Sequence, residues 1–271
     1  MIKNIILIVI LLISTNTFSQ SKESKVKYDI GADLLEGTLS NKKEITPEEI
    51  IKKLDTLYRG KSSYSLIEMK IQTSYFKRTL KMKVWSKGEE KTLVKIVRPK
   101  KDKGIATLKR NKDIHNFFPK INKVMKVPSS MMMGSWMGSH LTNDDLVKEA
   151  RLEEDYTATI SFEGWRDGQN IIEFTLIPKE DAAVVWGKLE LIILADSHIP
   201  VVEYYYDEDM ALARTIRFSD VQQLGGRQRP AALTVIPADK KDEYTQFIYQ
   251  SLSFDIELKD NLFSLSSLKS R

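Results

Sequence analysis

The chain has 271 residues, 42% of them hydrophobic and 29% charged, with a formal net charge of +5 and no cysteine. The missing cysteine excludes disulfide stapling and all thiol-based catalytic or metal chemistry. A chain of this length and hydrophobic content can bury a substantial core, as one large β domain or two smaller ones.

The N-terminus reads MIKN-IILIVILLI-STNTFS-Q. Lys3 precedes an unbroken apolar run from Ile5 to Ile13, and the small residues Thr17 and Ser19 precede Gln20. This is the pattern of a cleaved secretory signal over residues 1–19, and the run is too short to span a bilayer. No cysteine follows it, so lipidation at that point is excluded. The expected location is the periplasm, with a soluble, non-lipidated product.

Residues 20–45 are polar and read as a flexible lead-in to a domain over 46–271. In TPEEIIKKLDTLYRG, Thr46 is an N-cap, Pro47 fits the first helical position and Glu49 completes a capping box. Ile50, Ile51, Leu54, Leu57 and Tyr58 form a helical stripe that ends at Gly60. Beyond Gly60 the period changes to two. Ile67, Met69 and Ile71 alternate with charged and polar residues, as do Leu80, Met82 and Val84. The same alternation covers Tyr156 to Phe162 and Leu252 to Leu258. It marks antiparallel strands with one buried and one wet face, whereas IIEFTLIP and LELIILA suit more central strands. Turn signals fall between the runs at SKGEE, RDGQN, ADSHIP, YDEDM and QLGGRQRP. The expected fold is mainly β within the α+β class: one curved antiparallel sheet, a half-barrel of about 10–11 strands in meander order, with helices on its concave side as a lid over an apolar cavity.

Charge is unevenly placed. Eleven Lys/Arg lie between Lys95 and Lys126 against Asp102 and Asp113, and an acid-rich stretch follows from Asn143 to Asp167. In an exported chain such a block points to an anionic membrane surface or an acidic protein, not nucleic acid; a solvated lysine face is the plainer reading. Lys100, Lys101, Lys103, Lys109, Arg110, Lys120, Lys123 and Lys126 form the candidate basic face.

The sequence carries no recognisable catalytic signature. His115, His140 and His198 have no ligand spacing and read as exposed or loop histidines. GSWMG places Trp136 where a nucleophile elbow needs serine. The acidic clusters Asp207-Glu208-Asp209 and Glu153-Glu154-Asp155 lack the calcium-loop pattern and read as hairpin tips. No catalytic residue, metal site or cofactor is expected.

The segment PSSMMMGSWMGSHLTNDDL, residues 128–146, concentrates methionine, tryptophan and glycine. Methionine is unbranched and polarizable and repacks around irregular apolar shapes, a property that suits a carrier of apolar cargo. Met131, Met132, Met133, Trp136 and Met137, with Phe117, Phe118 and Trp85, are the candidate cavity or lid residues, and Gly134 and Gly138 the candidate hinges. Core packing of the same residues is the competing reading.

The run VRPKKDKGIATLKRNKDIHNFFPKINKVMKVPSSMMMGSWMGSHLTNDDLV resembles the central signature of LolA-like outer-membrane lipoprotein-sorting proteins. WGKLELIILADSHIPVVEYYYDED, IRFSDVQQLGGRQRPAALTVIP and LFSLSSLK are similar to the same family's later pattern. His140 departs from it, standing where an acidic residue is expected. No single arginine aligns with the cargo-gating arginine of such carriers. The resemblance implies a half-open barrel with a helical lid, lipoprotein or lipid cargo, and an inner-membrane partner, for this signature an exporter of the resistance-nodulation-division type. Alternatives are an accessory module docking on that exporter without a ligand of its own, and a periplasmic hydrolase.

Overall fold

A computed structural model describes residues 46–52, 60–147, 152–182 and 184–269. The expected signal segment, the lead-in and the second half of the expected first helix lie outside these residues. Residues 47–52 are helical, and the capping box is formed reciprocally. The Thr46 N–H donates to Glu49 Oε2 at 3.3 Å and the Glu49 N–H to Thr46 Oγ1 at 3.2 Å.

The described residues form one antiparallel sheet of thirteen strands, more than the alternation alone resolved, because β4 to β6, four to six residues each, are too short and too polar to show a clear period of two. In chain order they are β1 (Ser62–Gln72), β2 (Lys77–Lys87), β3 (Lys91–Arg98), β4 (Ala106–Arg110), β5 (Asp113–Phe118), β6 (Lys123–Lys126), β7 (Tyr156–Arg166), β8 (Gln169–Pro178), β9 (Lys188–Leu194), β10 (Pro200–Tyr206), β11 (Leu212–Leu224), β12 (Arg227–Pro237) and β13 (Tyr244–Phe254). Their spatial order is β6-β5-β4-β3-β2-β1-β13-β12-β11-β10-β9-β8-β7. The chain therefore starts near the middle, walks out to β6, crosses to the far edge at β7 and walks back to pair β13 with β1.

That order determines the shape. Val94 and Ile96 on β3 share one buried apolar cluster with Phe174 and Leu176 on β8. Eight strand spacings separate β3 from β8, roughly 38 Å in a flat sheet. Open twisted sheets rarely exceed ~10 strands without curling, and this one curls into an open half-barrel whose hollow holds that cluster. Ile51 of the N-terminal helix is buried in it.

The outer face carries a second, smaller cluster of Leu93, Ala106, Leu108 and Phe117, covered by Phe263 and Leu268 from the C-terminal segment. β13 stops at Phe254, so the expected strand to Leu258 ends early. Asp255 takes a left-handed φ of 52°, and the chain then turns onto the outer face, where Leu258 packs on the second cluster. The acidic run Glu153-Glu154-Asp155 belongs to the short helix Leu152–Asp155 and is not a hairpin tip, whereas Asp207-Glu208-Asp209 is the β10–β11 turn.

Candidate functional site: the crossover in the hollow

The crossover from β6 to β7 contains the methionine-rich segment and lies in the hollow. Its local fold follows from its small and polar residues. Ser135 and Thr142 form an isolated antiparallel bridge, and the Trp136 N–H donates to the Leu141 carbonyl at 2.7 Å. Met137 and Gly138 close the turn with φ of 56° and 78°. The second value is one that glycine adopts without the cost of a Cβ. Gly134 has no such backbone; a Cβ there would meet the Met131 carbonyl at 3.0 Å, so close approach is its reason. Asn143 Nδ2 donates to the Met131 and Gly134 carbonyls at 3.2 and 3.0 Å, tying both ends of the segment together.

Four fasteners then attach the crossover to the sheet, in the sheet's own order. Trp136 Nε1 donates to Thr107 Oγ1 on β4 at 3.2 Å. Arg78 on β2 donates to the Met137 carbonyl at 3.0 Å. His140 meets β13 through its backbone N–H, 3.0 Å from Thr245 Oγ1, and its ring spans Thr245 Oγ1 at 2.9 Å and Glu243 Oε2 at 3.0 Å. Asp145 accepts both arms of Arg214 on β11, at 3.0 and 3.1 Å. The segment thus runs across the hollow as a strap, touching β4, β2, β13 and β11 in turn.

The last fastener is a buried ion pair, with Asp145 4% and Arg214 6% exposed. Asp145 Oδ2 also accepts the Thr142 N–H at 2.8 Å, and the Asp145 N–H donates to Thr142 Oγ1 at 3.0 Å. One carboxylate therefore caps the helix Asn143–Val147 and holds the arginine. The guanidinium lies 4.5 Å from the Tyr205 ring centre and 4.8 Å from that of Trp186, and Tyr205 donates its hydroxyl to Glu203 at 2.7 Å. Burial raises the Glu203 carboxyl to about 8, against its hydrogen bond from Tyr205 and the field of Arg214. Glu243 moves the other way, held well below the usual carboxylate range by His140 and by two bonds from Ser74.

The Glu203 shift makes a testable prediction. The folded state keeps a proton to about pH 8 that the unfolded chain releases near 4.5. This group's contribution to stability is therefore greatest below the lower value, falls as pH rises between the two, and is level above. Glu203→Gln keeps a group that can accept the Tyr205 hydroxyl and is expected to be more stable than wild type at pH 8 and to lose that part of the slope. Urea unfolding at a series of pH values checks it, and a parallel slope in the variant would contradict it.

On either side of the strap the hollow stays open. One cavity, of about 390 Å³, is lined by Phe118, Met125, Met131, Trp136 and Met137, with Ile105 and Arg78 at one end. The other, of about 260 Å³, is lined by Met133, Leu141, Trp186, Pro237 and the Asp145–Arg214 pair. Met131 is 60% and Met133 61% exposed, one beside each cavity, while Trp136 is 4% exposed and is as much core as wall. Met132 is half-buried and lines neither cavity. Trp85 and Phe117 are not in the hollow. Both point to the outer face, Trp85 against Tyr64 with ring centres 5.4 Å apart and Phe117 under the C-terminal segment.

The basic residues divide as well. Lys100, Lys101 and Lys103 lie in the β3–β4 loop, and Lys120 and Lys123 flank the β5–β6 turn, all exposed and at one end of the sheet. Lys126 pairs with Asp113 at 2.7 Å. Arg110 is exposed at the opposite end. Lys109 is only 4% exposed, its Nζ reaching the Glu89 carbonyl at 2.7 Å, because β4 is covered on both faces. Sequence reasoning missed Arg78, Thr107, Arg214, Glu243 and Thr245, each distant in the chain from what it holds. His140 lies in a loop, as expected, but is not an exposed one: its ring is bonded at both nitrogens. The Thr142/Asp145 capping box was the one local signal available.

The open antiparallel half-barrel defines the class: the chain shares its fold with solved structures that include a LolA superfamily protein. A DUF1329 family protein from Desulfovibrio piger is similar at a TM-score of 0.72 and 21% identity, over 82% of this chain and 97% of that one. A LolA superfamily protein from Nitrosomonas europaea is similar at 0.67 and 19%, over 83% and 100%. A putative outer membrane lipoprotein-sorting protein domain from Vibrio parahaemolyticus is similar at 0.65 and 21%, over 77% and 92%. No curated protein sequence matches. Residues 88–270 match the model of a family described as "Uncharacterized protein", and the chain belongs to that family.

Proposed function

We propose that the protein is a non-catalytic carrier of acyl chains or a similar hydrophobic cargo, exported to the periplasm and passing that cargo between envelope partners. The observation that carries this reading is the division of the hollow by a strap of soft side chains fastened at a few polar points. A folded core packs to crystal-like density, whereas a carrier needs apolar walls that yield and re-form. The larger cavity falls within the ~300–1,000 Å³ usual for small-molecule sites. Each acyl CH₂ shielded from water contributes about 0.8 kcal/mol, so cover of this kind suffices to drive uptake without specific bonds. The fold shared with a putative lipoprotein-sorting domain supports the same direction. Among the described residues no group of His, Asp and Glu is arranged to hold a metal ion. The cargo's donor, on this reading, is an inner-membrane transporter, for which an exporter of the resistance-nodulation-division type is the candidate.

Native mass spectrometry of protein purified without detergent, followed by organic extraction, tests the reading. Lipid adducts that leave on extraction are expected; protein that is bare and also refuses added fatty-acid probes would leave a docking module without ligand. Residue by residue, Met125→Glu with Met131→Glu places two charges at 44% and 60% exposed positions on the larger cavity. The unfolding free energy is expected to change by no more than about 0.5 kcal/mol for each. Uptake of a fluorescent fatty acid is expected to fall about tenfold, since an acyl chain would have to lie against a carboxylate. Uptake equal to wild type would remove this cavity from the proposal.

A further inference from the structure

Three neighbouring hairpins end together at one end of the half-barrel: the β1–β2 turn at 73–76, the β3–β4 loop at 99–105 and the β5–β6 turn at 119–122. Their tips stand roughly 10 Å apart, two strand spacings each. They touch one another. Arg78 pairs with Asp102 at 3.0 Å, joining the first to the second. The Gly104 backbone packs beside the Pro119 ring, where a Cβ would sit at ordinary contact distance, 3.4 Å, so the second hairpin touches the third. The result is a ledge, and its surface has an unusual composition. Tyr75 is 93%, Ile121 65%, Phe76 42% and Phe118 36% exposed. Around them stand the exposed Lys77, Lys100, Lys101, Lys103, Lys120 and Lys123, and among the described residues none of these six is in an ion pair. Of the carboxylates nearest in the fold, Asp102 is engaged with Arg78 and Glu243 with His140 and Ser74, and Asp242 is exposed beside the end of β1, where its carbonyl accepts from Gln72 Nε2.

We infer that this ledge is a docking surface for an anionic lipid bilayer. Aromatic and aliphatic side chains on projecting tips enter the headgroup layer, while lysines extend their stems alongside and place their charges on lipid phosphates. The tips project instead of forming a groove, which fits a bilayer better than the concave contour an acidic protein segment would need. Further round the same rim, the β12–β13 turn is mixed, with Lys240 and Lys241 beside Asp239 and Asp242, and the β10–β11 turn presents Asp207, Glu208 and Asp209. This asymmetry turns the basic half toward the membrane and the acidic half away. Phe118, Arg78 and Ile105 belong both to this end and to the larger cavity, so docking would bring the mouth of the hollow to the lipid. The inference rests on the carrier reading for its purpose but not for its measurement.

The test is co-sedimentation of the purified protein with vesicles of phosphatidylcholine alone or mixed with phosphatidylglycerol, alongside fatty-acid uptake on the same preparations. Binding is expected to be at least about tenfold stronger to the phosphatidylglycerol vesicles and to weaken with salt. Lys100→Glu with Lys103→Glu and Lys120→Glu is expected to abolish that preference. Tyr75→Ser with Ile121→Ser is expected to weaken binding several-fold while its salt dependence persists. All five positions are exposed, so uptake and thermal midpoint should match wild type. No binding to anionic vesicles, or equal binding by the charge-reversed variant, would overturn the inference and leave an acidic protein as the partner of the basic residues. Vesicle binding by a protein that takes up no fatty acid would support docking and remove the carrier reading.

Discussion

Asp145→Ala is expected to destabilise the protein by about 3–5 kcal/mol, the usual cost of leaving one partner of a buried ion pair behind. Arg214 would keep its charge at 6% exposure with only the Tyr205 and Trp186 rings and the Glu203 side chain for company. The helix Asn143–Val147 would lose half of its capping box at the same time: the Thr142 N–H loses its carboxylate acceptor, while the residue-145 N–H keeps Thr142 Oγ1. The loss should be unevenly distributed. Native-state hydrogen exchange is expected to show early opening of the strap, where the Trp136, Asn143 and Asp144 amides bond to Leu141, Gly134 and Met132. Amides in the β11–β12 ladder should stay protected at the same denaturant concentration. A uniform loss of protection would mean that the strap unfolds only with the whole sheet and has no independent motion. Arg214→Met in the Asp145→Ala background should recover part of the loss, since the orphaned charge goes with it.

Trp136→Ala is expected to cost as much, about 3–5 kcal/mol, and to lower the thermal midpoint by roughly 10 °C or more. The indole fills the junction between the strap and β4 at 4% exposure. Its partner Thr107 keeps a hydrogen bond to Asn116 Oδ1 at 2.7 Å, so most of the cost is packing. Trp136→Phe, which loses the Nε1 donor but keeps a ring, is therefore expected to cost about 1 kcal/mol plus a small packing loss. Calorimetry of the two variants checks the split. Equal losses would assign the stabilisation to the hydrogen bond. Fatty-acid uptake should survive in Trp136→Phe and fall in Trp136→Ala, because the latter removes both a wall of the larger cavity and the strap's anchor.

Much of this was legible in the sequence because it is local. Alternation in β1, in β2 and in β7 as far as Ala158, where a bulge then leaves Ile160 exposed, depends on neighbours a few positions away, as do the turn residues of QLGGRQRP and the Thr46/Glu49 box. The methionine-rich segment could be recognised as unusual for the same reason. Its role was less accessible, since Trp136 reads equally as core and as wall and the structure makes it both.

What the sequence by itself determined was the period, hence antiparallel strands with one apolar face, and a crossover of a composition that can yield. Only the tertiary structure decided which face each side chain meets. Phe117 stands beside Phe118 on β5, and period two cannot choose which of the two meets the hollow; Trp85 has the parity of Lys81 and Lys83, and only the structure shows the outer cluster, capped by Phe263 and Leu268, that it packs against. The strap's fasteners are of the same kind. Trp136 with Thr107, His140 with Glu243 and Asp145 with Arg214 join residues 29, 103 and 69 positions apart, and they meet because the sheet curls and the chain crosses its hollow. Curvature is a property of thirteen strands packed together, and no short stretch of residues encodes it.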